Sequence, residues 1–358
     1  MAGSIKCGPL NPPLGLVRIP SRTCGPLGMN DQGDPNVTSL LGDTPGPLGS
    51  NDYADLSLPR LSDSGNWPGS FSILSDGTKV ALGSAPICGA DWTPPINNQA
   101  GSVSLADAQE MALKITTVFE GGKSMNYQAL ADDFDGQGTS FGLIQWNFGQ
   151  NTLGPLLTKM LNRNPTAFAN CFGADSDYQT LKSALIANDK DSQLKWARDT
   201  IKQHRKAWSQ AFKNIGAVSD FNKIQRDEAA AKYHPLVVKV IGKLREISPN
   251  LLIKIEFRTY AALFDLCVQQ SGIDKALTAI NSRIKLDKPK TQYELICLVV
   301  TERGKTASTK WASDCISRRL GILRGMAYSS TEHEVTKNRS NDQYHLILEF
   351  GEHYVANL

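Results

Sequence analysis

The chain has 358 residues, of which 41% are hydrophobic and 20% are charged, and its formal net charge is +3. This hydrophobic fraction is enough for a substantial core and about two domains, which argues against a wholly disordered chain. The small net charge argues against a dedicated nucleic-acid binder with a strong basic field.

The first hundred residues differ in composition from the rest. They hold 13 of the 18 prolines and 14 of the 30 glycines and have a net charge of −3, whereas the remainder has a net charge of +6. Proline and glycine disfavour long helices here. Residues 25–31 and 46–52 both read Gly-Pro-Leu-Gly-X-Asn-Asp. We expect residues 1–68 to be a Pro/Gly-rich leader, either flexible or a docking segment that becomes ordered on a partner.

Residues 69–100 are predicted to form a small hairpin and linker, because apolar residues flank the turn-forming pair Asp76-Gly77. The first twenty residues contain no continuous apolar run, and no stretch of the chain approaches the roughly 20 apolar residues of a spanning helix. We therefore expect neither a secretory signal peptide nor a membrane span.

The chain lacks the signatures of cofactor and metal sites. It has no Walker loop, no GxGxxG and no GxSxG motif, and its histidines do not have zinc-ligand spacing. The seven cysteines form no CxxC pair, and their odd number argues against a disulfide framework. We expect no cofactor, no metal, and buried thiols at four cysteines with apolar neighbours, which are Cys171, Cys267, Cys297 and Cys315.

A helix is predicted from Ser104 to Glu120. Ser104 and Asp107 form a variant of the capping box, and apolar residues follow at helical spacing. Gly121-Gly122 is a strong stop signal. We expect an acidic turn over 132–138 and then a short, mostly buried strand over 139–148.

The rest of the chain is predicted to be mainly helical up to about residue 325. The more polar last thirty residues end in an apolar stretch, 344–350, that could be strand or helix. We expect a mainly α (α+β) fold, with residues 101–358 forming one domain. The predicted helices are 176–188, 189–214, 220–232, 235–247, 255–271, 273–285, 290–303 and 307–321.

Glu120 and Asp135 lie where two carboxyl groups could hold opposite protonation states. Glu120 ends a partly buried helix, where burial and the carbonyl end of the helix dipole both disfavour ionisation. Asp135 lies in a glycine-flanked turn, where solvent favours the carboxylate. Glycoside hydrolysis needs such a pair, one to protonate the leaving oxygen and one to activate water or stabilise the cation. The residues alone leave a second interpretation open, in which Glu120 is an exposed helix end and Asp135 only forms the turn.

The segment 119–147 resembles the core of the lysozyme superfamily. It reads Phe-Glu-Gly-Gly, later Asp-Phe-Asp-Gly-Gln-Gly, and then Thr-Ser-Phe-Gly-Leu-Ile-Gln-Trp-Asn. This order is similar to bacterial chitosanases, whose acid glutamate closes a helix and whose second aspartate lies in a D-G-x-G turn. It also resembles lytic transglycosylases and goose-type lysozymes, in which a G-L-x-Q strand follows the glutamate. The resemblance implies a two-lobed helical domain with a small β-hairpin at the cleft.

The resemblance implies roles for individual residues. Glu120 matches the general acid and Asp135 the second carboxylate, with Asp132 and Asp133 as competitors for the second role. The residues implied to contact the sugar are Thr139, Ser140, Gln145, Trp146 and Asn147.

Further along the chain, Asp265 and Gln269 lie four residues apart on one helix face. They could line the cleft opposite the glutamate, as polar helix residues do in related hydrolases, or they could brace neighbouring helices. Arg318 or Arg319 is expected to brace an acidic side chain.

The resemblance implies a peptidoglycan hydrolase, a muramidase that cleaves the β-1,4 bond between N-acetylmuramic acid and N-acetylglucosamine. A body with a net charge of +6 suits an anionic glycan. Gly121-Gly122 replaces the asparagine-serine pair that commonly follows the chitosanase glutamate, which argues against chitosan. A chitosanase, a lytic transglycosylase that needs only the glutamate, and a non-catalytic wall-binding or tail-assembly protein are the alternatives.

The repeated leader phrases resemble the leaders of bacterial type VI secretion effectors, which attack the envelopes of rival cells. This resemblance implies a protein made in the cytoplasm without a signal peptide and delivered to the periplasm of a target cell. The implied partners are peptidoglycan glycan strands, a spike or carrier protein at residues 1–60, and an immunity protein at the cleft, with no nucleic acid. A phage-style endolysin is the other setting without a signal peptide.

Overall fold

In the computed structural model, the region from residue 101 to the end of the chain is mainly helical with small sheets where it is described, which confirms the predicted fold class. The leader over 1–68 lies outside the described residues, and so do Asp132 and Asp135. The described residues are 101–131, 133, 136–173 and 176–358, with only the backbone described at 71–73, 79–81, 201–203 and 205.

The described strands are short, and most pair with a neighbour in the chain. In chain order they are β1 (Phe71–Ile73), β2 (Lys79–Ala81), β3 (Ser102–Val103), β4 (Leu130–Ala131), β5 (Ser140–Phe141), β6 (Trp146–Asn147), β7 (Tyr328–Glu332), β8 (Val335–Arg339) and β9 (Tyr354–Val355). β1 and β2 are antiparallel on either side of residues 76–77. The parallel pair β3–β9 joins the two ends of the region 101–358.

The helices make up most of the described chain. They are α1 (Leu105–Gly121), α2 (Leu153–Arg163), α3 (Pro165–Phe172), α4 (Ser176–Ile186), α5 (Lys190–Gln203), α6 (Arg205–Gly216), α7 (Ser219–Ile247), α8 (Phe257–Gln270), α9 (Leu277–Asp287), α10 (Gln292–Lys305), α11 (Thr309–Arg324) and α12 (Tyr344–Phe350), with two short 3₁₀ helices at Pro249–Leu251 and Asp274–Ala276. No helix in the described ranges is both long and apolar enough to span a membrane.

α1 forms where the sequence predicts it. The Ser104 hydroxyl accepts the backbone N–H of Asp107 at 3.1 Å and caps the helix. Gly122 adopts a left-handed φ of 76° and donates its N–H to the carbonyl of Val118, which ends the helix. Residues 115–120 are all buried, so the end of α1 carries Glu120 into the interior.

The single strand expected over 139–148 is instead the hairpin β5–β6, which forms a three-stranded sheet with β4. The chain reverses between Gly142 and Gln145, which have φ values of 83° and 56°. The sequence interpretation was wrong because Leu143 and Ile144, inside the turn, are buried apolar residues rather than the polar residues typical of turns.

Two helix predictions also differ from the structure. The segment 189–214 is two helices, α5 and α6, separated at His204. The segments predicted over 220–232 and 235–247 are one helix, α7, which continues through Pro235. Proline removes one helical hydrogen bond, and here tertiary packing on both sides keeps the helix continuous. α2 and α3 lie in the region predicted to be mainly helical, although they were not predicted as separate helices, and the hairpin β7–β8 was not predicted.

α7 connects two groups of elements. We call β4–β6 with α2–α6 the sheet lobe, and α1, α8–α12, β7 and β8 the helical lobe. Near its start, α7 stacks Phe221 on Phe141 of the sheet lobe, with ring centroids 6.1 Å apart. Further along, Tyr233 packs edge-on against Phe264 of α8, at 6.1 Å. α7 therefore forms part of the core on both sides.

The cysteines match their predictions only in part. Cys267 and Cys315 are buried and free, and Cys171 is half-buried and free. Cys297 is buried but disulfide-bonded, so the prediction of a free thiol there was wrong. A disulfide requires two cysteines to be close in space, and sequence spacing did not indicate that proximity.

Candidate active site

Glu120 lies in the last turn of α1, and its side chain is fully buried. Its Oε1 accepts a hydrogen bond from Nη2 of Arg318 at 2.8 Å, whereas Oε2 has no hydrogen-bond partner among the described residues. The alternative in which Glu120 is an exposed helix end is therefore wrong. One carboxyl oxygen is therefore held by Arg318, and the other is buried without a partner in the described ranges.

Burial raises the pKa of Glu120 from its ordinary value of 4.5 to about 7. The adjacent Arg318 guanidinium lowers this pKa, and the carboxylates of Asp265 and Asp314 raise it, but the loss of hydration has the largest effect. The carboxyl group therefore keeps its proton at a higher pH than an ordinary glutamate does. A pKa in this range makes a carboxyl group effective as a general acid.

Arg318 on α11 joins Glu120 to α8. The same Nη2 that binds Glu120 also donates to Oδ1 of Asp265 at 2.5 Å, and the guanidinium lies 4.6 Å from the ring centroid of Phe119. Burial lowers the pKa of Arg318, but the carboxylates of Asp265, Glu120 and Asp314 raise it by more. Arg318 therefore stays charged and braces an acidic side chain, as the sequence predicted.

Arg319, the next residue on α11, makes a second set of contacts with α8. It donates to the side-chain amide oxygens of Gln269 and Gln270, the latter at 2.7 Å. Its Nε lies 3.3 Å from Oδ2 of Asp265. Asp265 is thus held between two arginines and is fully buried. This position favours the bracing alternative for Asp265 over a place on the cleft wall.

Asp314 and Arg339 complete this group of ions. Arg339 on β8 donates to Asp314, which also accepts from Gln269 at 3.3 Å. Burial raises the pKa of Asp314, but Arg339 and Arg318 lower it by more, so it lies below its ordinary value. We call the six residues the buried charge network; they are Glu120, Asp265, Asp314, Arg318, Arg319 and Arg339.

The network pairs three carboxyl groups with three guanidinium groups, and all six residues are buried. It is neutral when Glu120 is ionised and carries one positive charge when Glu120 is protonated. Buried ions are costly unless they are paired and hydrogen-bonded, so the network is held by the packing of α1, α8, α11 and β8 around it.

The second carboxylate predicted by the sequence, Asp135, lies outside the described residues, and its role stays a prediction. Its competitor Asp133 is described. Oδ1 of Asp133 accepts the backbone N–H of Gly138 at 2.8 Å, and Oδ2 lies 3.9 Å from Nε of Arg198. Asp133 thus organises the acidic turn, which favours Asp135 over Asp133 for the second role.

The five residues predicted to contact the sugar are buried in and beside the hairpin β5–β6. Thr139 donates to the carbonyl of Ala131 at 2.6 Å, and Gln145 donates to the carbonyl of Gly142 at 3.0 Å. Asn147 accepts the backbone N–H of Gln150 at 2.8 Å. These bonds hold the hairpin in shape, and sugar contact stays a prediction for the set, which comprises Thr139, Ser140, Gln145, Trp146 and Asn147.

Several residues around Glu120 were missed by sequence reasoning. Asp314 lies four residues before Arg318 on one helix face, and this spacing could have indicated that the two side chains are neighbours. Arg339 gave no signal, because it reaches the network from a polar segment that was not predicted as a hairpin. Tyr233 on α7, whose pKa is raised by burial and further by the charge of Glu120, also gave no signal, since aromatic residues at helical spacing usually indicate core.

No protein-family model matches this chain, and no curated protein sequence matches it. Among solved structures, native chitosanase from Bacillus subtilis MY002 aligns at 14% identity and a TM-score of 0.40, over 66% of this chain and 100% of that chain. A mutant of chitosanase from the same organism, complexed with 6 GlcN, aligns at 13% identity and a TM-score of 0.40, over 66% of this chain and 99% of that chain. This similarity is too low to assign a role to any residue.

Proposed function

We propose that this protein is a glycoside hydrolase in which Glu120 is the general acid. The observation that carries the proposal is the state of the buried Glu120 carboxyl, whose pKa is raised to about 7. One of its oxygens is held by Arg318, and the other has no partner within the described part of the chain. A carboxyl group in this state can protonate a glycosidic oxygen near neutral pH.

The buried charge network supports the proton transfer electrostatically. When the unpartnered Oε2 of Glu120 gives its proton to the glycosidic oxygen, the bond from that oxygen to the anomeric carbon breaks and the leaving sugar departs as an alcohol. The proton transfer takes the network from one net positive charge to neutrality. Arg318 then pairs with the new carboxylate at Oε1. Asp135 is the proposed second carboxylate, which activates water or stabilises the oxocarbenium-like cation.

Substrate access requires a change in the packing around Glu120, because its side chain has no exposed surface. α7 packs on both lobes, and Pro235 within it cannot donate a helical hydrogen bond. We place the opening at α7, between the sheet lobe and the helical lobe. Separation of the lobes would expose the end of α1, where Glu120 lies.

The proposed substrate is the glycan strand of peptidoglycan, cut as by a muramidase. The net charge of +6 over residues 101–358 supports an anionic polymer, and the segment 139–147 supports a muramidase-like loop. The proposed setting is an antibacterial effector delivered to the periplasm of a target cell. A carrier protein would bind the leader, and an immunity protein would block the cleft.

The test is digestion of purified sacculi by the full chain, with mass spectrometry of the products. Wild type is compared with Glu120→Gln and Asp135→Asn, and with Glu110→Gln as a matched control on the exposed face of α1. A muramidase gives reducing muropeptides that both site variants lose and the control keeps. Anhydro-muropeptides that only Glu120→Gln loses would make the protein a lytic transglycosylase.

A second candidate is a non-catalytic wall-binding protein, and the observation that favours it is the complete burial of Glu120. In that case the network only stabilises the helical lobe. Folded wild type would then bind sacculi without releasing soluble product. Release of product from chitosan, with none from sacculi, would instead favour a chitosanase.

A further inference from the structure

Arg226 lies on the exposed surface of α7 and has no carboxylate partner among the described residues. Its Nη1 donates to the hydroxyl of Tyr127 at 3.0 Å, and the guanidinium carbon lies 6.0 Å from the centroid of that ring. The adjacent Asp227 pairs with Lys223 instead, at 2.8 Å. The guanidinium is therefore held by a neutral phenol and keeps further N–H donors for a carboxylate.

Tyr127 belongs to the loop that follows Glu120, and this loop folds back on the end of α1. The side-chain amide of Asn126 donates to the carbonyl of Gly121, the residue after Glu120, at 2.9 Å. The two residues also pack closely, because a Cβ at Gly121 would lie 3.2 Å from Cβ of Asn126. Tyr127 comes directly after Asn126, so its backbone has a fixed place beside the end of α1.

Gln225 ties the same loop to α7 and to the hairpin β5–β6. This buried residue, which precedes Arg226, donates to the carbonyl of Tyr127 at 3.3 Å and accepts the backbone N–H of Leu143 at 2.9 Å. The contact requires a glycine at position 142, because a Cβ on Gly142 would collide with the amide oxygen of Gln225. Arg226 thus lies where α7, the hairpin and the loop after α1 meet.

A fixed guanidinium distinguishes Arg226 from the neighbouring lysine on α6. Lys213 is close to the same loop, since its carbonyl accepts the side-chain amide of Gln128 at 2.7 Å, but its side chain is exposed. Lysine presents a point charge on a flexible stem, whereas the planar donors of arginine match the two oxygens of a carboxylate. The Tyr127 hydroxyl therefore holds in place the cation better suited to bind a carboxylate.

We propose that Arg226 is a specificity-determining residue, which binds a carboxylate of an anionic glycan strand beside the end of α1. The proposal rests on the proposed hydrolase function and names the residue that selects an acidic strand. The stem peptides of peptidoglycan carry carboxylates, whereas chitosan carries ammonium groups that the guanidinium would repel. Arg226 acts away from the reacting bond, so its loss should weaken binding rather than slow bond cleavage.

The test measures binding to purified sacculi by the full chain in a Glu120→Gln background, where no cleavage is needed. Native sacculi are compared with sacculi whose carboxylates have been converted to neutral amides. Arg226→Ala should weaken binding to native sacculi by about tenfold and binding to amidated sacculi by less than about twofold. Lys223→Ala is the matched control, because it removes the same charge from α7 at a residue that is already paired, and it should change both affinities by less than about twofold.

An equal loss on native and amidated sacculi in Arg226→Ala would overturn the proposal, since Arg226 would then only support the structure. An equal loss in Lys223→Ala, or no binding of the parent protein to native sacculi, would overturn it as well. Arg226→Lys keeps the charge without the planar donors and should restore only part of the binding.

The binding result is separate from the outcome of the sacculus digestion, because the Glu120→Gln background needs no catalysis. Carboxylate-dependent binding without digestion would leave the Arg226 site standing and contradict the hydrolase function. If digestion succeeds, KM for sacculi should rise in Arg226→Ala with kcat nearly unchanged. A loss confined to kcat would contradict the role in specificity.

Discussion

The two lobes have cores of different chemistry. The described core of the sheet lobe is rich in packed aromatic rings, such as Phe168 on Phe172 at 4.7 Å and Trp196 on Trp208 at 4.6 Å. In the helical lobe, every residue of α8 is buried, including Arg258 and Asp265. Burial of apolar side chains stabilises a fold directly. A buried ion pair usually contributes no more to stability than well-packed apolar residues of similar size would. Under the proposed function, the buried ions of the helical lobe are retained for chemistry at Glu120.

Among substitutions that test this difference between the lobes, the largest expected effect is on the rate of catalysis. Glu120→Gln removes the acid and keeps the shape of the side chain, so kcat for glycan cleavage should fall roughly 10²- to 10⁴-fold. Phe212→Leu in the aromatic core of the sheet lobe should lower stability while leaving kcat within about twofold. The kcat values of the two variants, measured on folded protein, check these expectations. An equal loss of kcat in both variants would contradict the proposal that catalysis depends on the helical lobe and not on the aromatic core of the sheet lobe.

The next largest expected effect is on stability. Arg318→Ala leaves Glu120 and Asp265 buried without their shared cation, which should lower the free energy of unfolding by about 3–5 kcal/mol. Arg163→Ala is the matched control, because Arg163 pairs with Asp220 at a partly exposed site, and it should cost about 1 kcal/mol or less. Urea denaturation of both variants measures the difference, and equal losses would argue against a tightly coupled network.

A smaller effect is expected from pH. The pKa of Glu120 is about 7 in the folded state against an ordinary 4.5, so between these values the folded state keeps a proton that the unfolded state releases. The stability contributed by this proton is fully present below pH 4.5 and is lost as the pH rises to about 7. Urea denaturation across this range should show a steeper decline for wild type than for Glu120→Gln, and parallel curves would contradict the raised pKa.

The smallest expected effect is at the acidic turn. Asp133→Asn weakens the bond from the Gly138 N–H and removes the charge that faces Arg198, which should cost about 1 kcal/mol. Because the side chain of Asp133 only holds the turn in shape, kcat should fall far less than in Glu120→Gln. A loss of activity as large as in Glu120→Gln, in protein that remains folded, would instead assign the second catalytic carboxylate to Asp133.

Local signals in the sequence predicted α1 and the position of Glu120. The Ser104 cap and the stop at Gly121-Gly122 act within a few residues, so they can be identified without knowledge of the fold. The contact between Glu120 and Arg318 spans 198 residues, and no spacing rule indicates such a pairing. The sequence predicted only that Arg318 or Arg319 braces an acidic side chain, and the identity of that side chain became known only from the packing of α11.

Errors in the sequence interpretation arose where tertiary packing overrides local preference. Leu143 and Ile144 have apolar side chains typical of a strand, but they lie in the turn of a hairpin, because that turn is buried rather than exposed. Pro235 predicts a break, yet α7 continues through it.

The central claim is that the buried Glu120 acts as a protonated general acid, and the pH dependence of kcat/KM for glycan cleavage tests it most directly. We expect kcat/KM to fall with increasing pH around 7, because the free enzyme then loses the proton that it must donate. The midpoint of this fall should coincide with the pKa of Glu120 measured by NMR in the same buffer. An activity that stays constant through pH 8, or a fall whose midpoint does not match that pKa, would contradict the account.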